Sequence, residues 1–302
     1  MVIWRKWTYD QSQRIQKKQY GMKCFLSRAV YSILLCFVAF ELRAQQVDTI
    51  GVFSPSMNKT VKNVVILPAV YDKSESLPVL YLLHGYSKDY RAWLDIQPEL
   101  PQLANRYEMI IVCPDGENSW YWDSPVNSQV RYETYISKEL VGYMDSHYKT
   151  IPDKRGRAIS GFSMGGHGAF WIAIRHQDLF GACGSTSGGV DIRPFAEHWE
   201  MKEQLGDYYT NSERWDVYTV MNQLHLIKPG LAIIFDCGTE DFFHEANERL
   251  HRELSYRYIE HDYISRPGIH DYAYWRKSIT YHLQFFSDYF ECNDTYEIEL
   301  NY

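Results

Sequence analysis

Gly161-Phe162-Ser163-Met164-Gly165 is the stretch on which the reading of this chain turns. It follows Arg157-Ala158-Ile159-Ser160 and precedes Gly166-His167-Gly168-Ala169-Phe170-Trp171-Ile172-Ala173. A serine is thereby placed where a short strand stops and a helix starts. Such a turn is so tight that the positions two before and two after the serine tolerate almost no side chain. Gly161 and Gly165 meet that demand. The hydroxyl stands above the sheet, and the helix N-terminus lies beneath it. The free N–H groups and dipole of that terminus favour the negative charge that develops during acyl transfer. A G-x-S-x-G in a loop is only moderately specific. The strand before it, the helix after it and the extra glycine at Gly166 make it a nucleophile elbow.

A serine is a poor nucleophile without a base, and the base needs a partner to hold its tautomer. On α/β-hydrolase folds the three follow in the order serine, acid, histidine. After Ser163, an apolar strand-like run ends in Asp236-Cys237-Gly238-Thr239-Glu240-Asp241. Asp241 lies past the glycine, in the loop at the strand's C-terminal end where α/β sites form, and is the expected acid. Asp236 is still within the strand, and Glu240 is the alternative. The expected base is His270, in Arg266-Pro267-Gly268-Ile269-His270-Asp271 between the last strand and last helix. His251 and His282 fall inside helical patterns. His244 and His261 are harder to set aside, but neither occupies a strand-end glycine loop. The oxyanion needs two backbone donors. These are expected from Met164, just after the nucleophile, and from Tyr86, after Leu82-Leu83-His84-Gly85. His84 and His167 are read as structural histidines bonding the backbone.

The rest of the chain supports the same architecture. Residues 47–54 and 60–67 alternate, with β-branched residues, and read as an opening antiparallel pair. Residues 78–83 and 109–113 are continuous apolar runs, as central strands buried on both faces are. Residues 132–148 carry helical spacing. Further strands are expected in 181–189, 231–238 and 259–267, with helices at 242–258 and 271–290. Trp275, Ile279, Leu283 and Phe286 form one face of the last helix. The alternation predicts one doubly wound, mostly parallel α/β sheet. Residues 190–228 interrupt it with an aromatic-rich insertion holding Phe195, Trp199, Tyr208, Tyr209, Trp215 and Tyr218, on the side where loops shape pockets.

The 302 residues suffice for one large domain, and the net charge of −7 with no basic stripe excludes a nucleic-acid partner. Residues 1–44 read as an N-terminal extension and signal peptide, and 45–302 as the enzymatic domain. Lys23 and Arg28 precede an apolar run at 29–40 that is short for a bilayer span and right for an export signal. Met22 is an alternative start, and cleavage is expected near Ala44. The expected location is secreted or periplasmic, with no stable membrane association after cleavage. Cys113, Cys183, Cys237 and Cys292 show no C-x-x-C spacing and read as small buried residues. No metal site and no cofactor is expected.

Taken together, Leu82-Leu83-His84-Gly85, Pro114-Asp115-Gly116, the elbow with Gly166-His167-Gly168-Ala169, Cys237-Gly238-Thr239-Glu240-Asp241, and Gly268-Ile269-His270-Asp271 with Trp275-Arg276 resemble the esterase D family. Its plant-polysaccharide branch is carbohydrate esterase family one. The resemblance runs from about residue 78 to 290. It implies the α/β-hydrolase fold, the triad Ser163, Asp241 and His270, and the oxyanion donors Tyr86 and Met164. Asn118-Ser119-Trp120-Tyr121-Trp122-Asp123-Ser124-Pro125 looks most like the tributyrin- and feruloyl-esterase branch. The expected function is therefore a secreted serine esterase for short acyl or hydroxycinnamoyl esters, small or linked to plant polysaccharide. Trp93, Trp120, Tyr121 and Trp122 are expected to flank the acyl or sugar portion, against the alternative that they pack loops. Two other functions compete: an acyltransferase of the mycolyl type, and a non-catalytic sugar-binding module on a hydrolase fold.

Overall fold

The computed structural model describes residues 46–300, with side chains as far as Cys292. The expected extension and signal peptide in 1–44, and the alternative start at Met22, lie outside the described residues. Eight strands form one sheet in the order β1-β2-β4-β3-β5-β6-β7-β8. They are β1 (Gln46–Ser54), β2 (Lys59–Leu67), β3 (Val79–Leu83), β4 (Ile110–Pro114), β5 (Arg157–Gly161), β6 (Ala182–Thr186), β7 (Ala232–Gly238) and β8 (Asp262–Arg266). β1 and β2 are antiparallel, and β2 is antiparallel to β4. From β4 to β8 every neighbouring pair is parallel. The doubly wound, mostly parallel α/β sheet read from the sequence is the fold observed.

The continuous apolar runs are explained by the two covered faces. Along β3, Val79, Tyr81 and Leu83 join one core cluster, whereas Leu80 and Leu82 join the other. Side chains alternate across a strand, so a strand covered on both sides needs apolar residues at every position. Each fully buried Leu or Val stabilises by roughly 1.5–3 kcal/mol relative to exposure. One face carries the elbow helix Met164–Arg175 and the helix His244–Tyr256. The other is covered by Ala92–Ile96, Leu100–Arg106 and the closing helix Tyr272–Leu300, whose Trp275, Ile279, Leu283 and Phe286 are all buried there.

Two details differ from the sequence reading, and one adds to it. The helix expected over 132–148 runs α, then π at Tyr135–Leu140, then α again at Val141–His147. Periodicity over so short a run cannot separate a π turn from an α turn. The insertion contains two short helices, Met201–Leu205 and Ser212–Val217. Cys113, Cys183 and Cys237 are buried free thiols as expected, but Cys292 is exposed, two residues beyond the buried Phe290 on the closing helix. Among the described residues no helix is long and apolar enough to cross a membrane.

Candidate active site

The two elbow glycines have no room for a side chain. A Cβ on Gly161 would strike the Gly165 backbone, and one on Gly165 would strike the carbonyls of Leu83 and His84 at the end of β3. Between them Ser163 adopts φ 55°, ψ −118°. A non-glycine residue there stores strain of about 1–3 kcal/mol, which the surrounding sheet must hold in place. Ser163 N–H donates to Thr186 O at 3.0 Å, and Ser163 O accepts from the His167 and Gly189 amides at 3.1 and 3.3 Å. The sharp turn lifts the hydroxyl clear of the strand.

The hydroxyl meets His270. Ser163 Oγ lies 2.9 Å from His270 Nε2, and His270 Nδ1 lies 2.8 Å from Asp241 Oδ2. The other Asp241 oxygen accepts the Phe243 amide at 2.8 Å. The Asp241 side chain is fully buried, and that of His270 is 15% exposed. Backbone bonds stitch the two loops together: Thr239 N–H donates to Arg266 O and Glu240 N–H to Gly268 O, both at 3.0 Å. Serine, acid and histidine thus come from the C-terminal ends of β5, β7 and β8.

The alternatives go elsewhere. Glu240 is exposed. His244 faces Ser265 and Glu248, and His251 and His261 face each other at 2.8 Å. Met164 opens the elbow helix and Tyr86 follows Gly85, and neither amide donates a hydrogen bond among those described. His84 accepts the Gly116 amide at Nε2 (2.8 Å), so its Nδ1–H donates to Gly85 O. His167 Nδ1–H donates to Gly189 O, and complete burial lowers its pKa to about 4. Both are structural histidines, as read from the sequence.

The expected aromatic flank is corrected. Trp93, Trp120, Tyr121 and Trp122 are 0–1% exposed. Trp93 lies on the opposite side of the sheet, with its Nε1–H on Leu83 O and its ring edge-on to Phe162. The Tyr121 hydroxyl is bonded to both the N–H and the C=O of His84. Trp120 and Trp122 stack on each other and enclose His167. These rings hold the loops, and none offers a free face. The rings beside the base are others. Phe242, 50% exposed, is 4.3 Å from the His270 ring between centroids, and Trp199 stacks on Phe242 at 5.6 Å. The available signal was position: Phe242 directly follows the acid, and Trp199 lies in the insertion.

Directly below this group lies a second one of like composition. Ser160 Oγ is 3.0 Å from His282 Nδ1, and His282 Nε2 is 2.7 Å from Asp236 Oδ2. The hydroxyls of Ser278 and Thr186 donate to Asp236 Oδ1 at 2.6 and 2.8 Å, and Arg266 lies 3.8 Å away. Burial alone would raise the Asp236 carboxyl, but His282, Ser278 and Arg266 outweigh it and hold it below the usual carboxylate range. The sequence marked His282 only as a helical residue and Asp236 only as a strand residue.

Two clefts of about 580 and 710 Å³ open at the opposite ends of the parallel strands, and neither includes Ser163, Asp241 or His270. Ser163, Asp241 and His270 meet instead on the loops at the C-terminal strand ends.

Known proteins resemble the chain over most of its length. The family model described as "Putative esterase" matches residues 54–286. An acetyl esterase of Caldicellulosiruptor saccharolyticus is 28% identical over 255 residues, covering 76% of this chain and 94% of its own. A solved ferulic acid esterase is 26% identical with a TM-score of 0.68, covering 82% of this chain and 98% of its own. The solved fluorophosphonate-binding serine hydrolase F of Staphylococcus aureus has a TM-score of 0.72 at 21% identity, covering 80% and 98%, a likeness of fold.

Proposed function

The chain belongs to the Esterase family and is a carboxylic ester hydrolase, and from that premise we propose that it is exported and cleaves short acyl or hydroxycinnamoyl esters, including esters on plant polysaccharide, through an acyl-enzyme on Ser163. The observation that carries the reading is the continuous contact from Ser163 Oγ through both His270 nitrogens to Asp241, at 2.9 and 2.8 Å. Asp241 accepts a hydrogen bond from Nδ1–H, which leaves Nε2 as the acceptor facing the hydroxyl. His270 takes the serine proton as Oγ bonds to the acyl carbon. The Met164 and Tyr86 amides then receive the oxyanion. As the tetrahedral species collapses, His270 returns the proton to the departing alcohol. Water repeats the sequence to free the acid. Phe242 and Trp199 supply flat apolar faces next to the base, which suits a planar acyl group.

A panel of 4-nitrophenyl acyl esters and methyl hydroxycinnamates ranks the acyl preference, with Ser163→Ala as the control. Near-wild-type turnover by that variant would overturn the mechanism. Inertness of the parent toward the whole panel and toward a fluorophosphonate would favour the sugar-binding module instead. Adding a polyol separates hydrolysis from transfer: acylated polyol in place of free acid would favour an acyltransferase. Processing and export are read by expressing the full chain and sequencing the N-terminus of the extracellular or periplasmic product.

A further inference from the structure

Ser87 stands at φ 57°, in the left-handed region that serine rarely adopts. It is the third residue of the turn Gly85-Tyr86-Ser87-Lys88, closed by Lys88 N–H on Gly85 O at 3.3 Å. A positive φ at that place marks a type II turn, where glycine is the ordinary choice. Here outside contacts hold the turn. Ser87 N–H donates to Asn118 Oδ1 at 2.9 Å, and Asn118 Nδ2–H donates to Glu200 Oε2 at 3.0 Å. An amide donor on one side and a carboxylate acceptor on the other fix which way the Asn118 side chain is turned. Glu200 is itself braced, because Trp120 Nε1–H donates to the carbonyl of the preceding Trp199 at 3.3 Å. Burial, and then the neighbouring Glu200 carboxylate, raise the Tyr86 phenol, which places Glu200 against the same turn from a second direction.

We infer that Asn118 and Glu200 are positioning residues for the oxyanion donor: they hold the turn that presents the Tyr86 amide. The inference rests on the serine-esterase reading above and deepens it, because the insertion then contributes to catalytic geometry as well as to the aromatic faces beside the base. Without the relay, Ser87 is released toward negative φ, the peptide joining it to Tyr86 rotates, and the donor loses its aim. An oxyanion donor acts mostly in the transition state, so the loss falls on kcat rather than on KM.

The test measures kcat and KM on 4-nitrophenyl acetate, with melting temperature alongside. Removing an oxyanion donor outright costs about 10²–10³ in kcat, so Asn118→Ala, which only loosens one, is expected to cost about tenfold, with KM within about twofold. Asn118→Asp keeps an acceptor for Ser87 but sets a new carboxylate against Glu200, and its kcat is expected to fall as well. Adding Glu200→Gln to Asn118→Asp restores an amide–carboxylate pair with donor and acceptor exchanged, and most of the lost kcat should return. A purely structural role would not produce that recovery. The inference is overturned if Asn118→Ala leaves kcat within twofold of wild type, if KM rises as much as kcat falls, or if the double variant is no better than Asn118→Asp. Ser163→Ala run in parallel keeps the two levels apart. Turnover in that variant removes the serine mechanism, whereas its silence beside an unimpaired Asn118→Ala removes only this inference.

Discussion

Two serine–histidine–aspartate groups lie a few residues apart in this molecule. Ser163, His270 and Asp241 stand on loops at the strand ends; Ser160, His282 and Asp236 lie within β5, the closing helix and β7. Their distances are nearly the same, 2.9 and 2.8 Å against 3.0 and 2.7 Å. Everything else differs. Ser163 is forced to φ 55°, whereas Ser160 sits in regular strand and is 1% exposed. His270 presents Nε2 to its serine and His282 presents Nδ1. Asp241 has one other hydrogen-bond donor, the Phe243 amide, whereas Asp236 is held by Ser278, Thr186 and His282 with Arg266 close by. Composition is therefore not what separates the two groups. A serine at positive φ, a partly exposed histidine and, among the described bonds, unengaged amides at Met164 and Tyr86 belong to the upper group and not to the lower.

That contrast predicts opposite responses to the same substitutions. Ser163→Ala should lower turnover on the order of 10⁶-fold, as nucleophile loss does in other serine hydrolases, with the fold intact. Ser160→Ala should leave turnover within a few fold. A burst assay with 4-nitrophenyl acetate separates them, and comparable losses would mean the buried group takes part in chemistry. Asp241→Asn should cost about 10⁴ in kcat by releasing the tautomer of His270, with little change in melting temperature. Asp236→Asn should act the other way, destabilising by about 3–5 kcal/mol because it breaks a buried charge pair, with modest change in kcat at temperatures where the variant is folded. Chemical denaturation and steady-state kinetics on both variants decide it; a folded but inactive Asp236→Asn would make the lower group part of the machine.

A smaller effect is expected from His167, buried on the elbow helix with its amide on Ser163 O. Its folded pKa is near 4 against a reference of 6.5. Below about pH 6.5 the unfolded chain takes up a proton that the folded chain refuses, so stability falls as pH drops from 6.5 toward 4. The full loss is on the order of 3 kcal/mol. His167→Asn should flatten that part of the stability–pH curve measured by urea unfolding. An unchanged slope would mean the ring is protonated in the folded state.

The upper group was legible in the sequence because its geometry is enforced locally. Gly161 and Gly165 declare the elbow, Gly238 and Gly268 mark strand-end loops, and the chain order of the three side chains does the rest. The sheet was legible for a similar reason, since strands covered on both faces must be apolar throughout. What escaped the sequence depends on long-range placement. Trp93 and Trp120 have the composition of a binding wall, but tertiary packing turns them inward. Phe242 and Trp199, about forty residues apart, meet only because the insertion folds back onto the loop that follows β7. His282 reaches Ser160 across 122 residues, and no periodicity announces such a bond.

The stitching of the acid and base loops has a consequence for assembly. Asp241 and His270 are separated by 29 positions and belong to one strand–helix–strand crossover, whereas Ser163 joins His270 across 107. Closing the longer loop costs only about 1 kcal/mol more chain entropy, so the difference is one of dependence rather than energy. The Asp241–His270 pair is the property of a single supersecondary unit. The Ser163–His270 contact is the property of the finished sheet, since β6 and β7 must both be in place before the two can meet. Mild denaturant that loosens the central β3–β5 pairing should silence hydrolysis while the β7–β8 crossover keeps its amide-exchange protection.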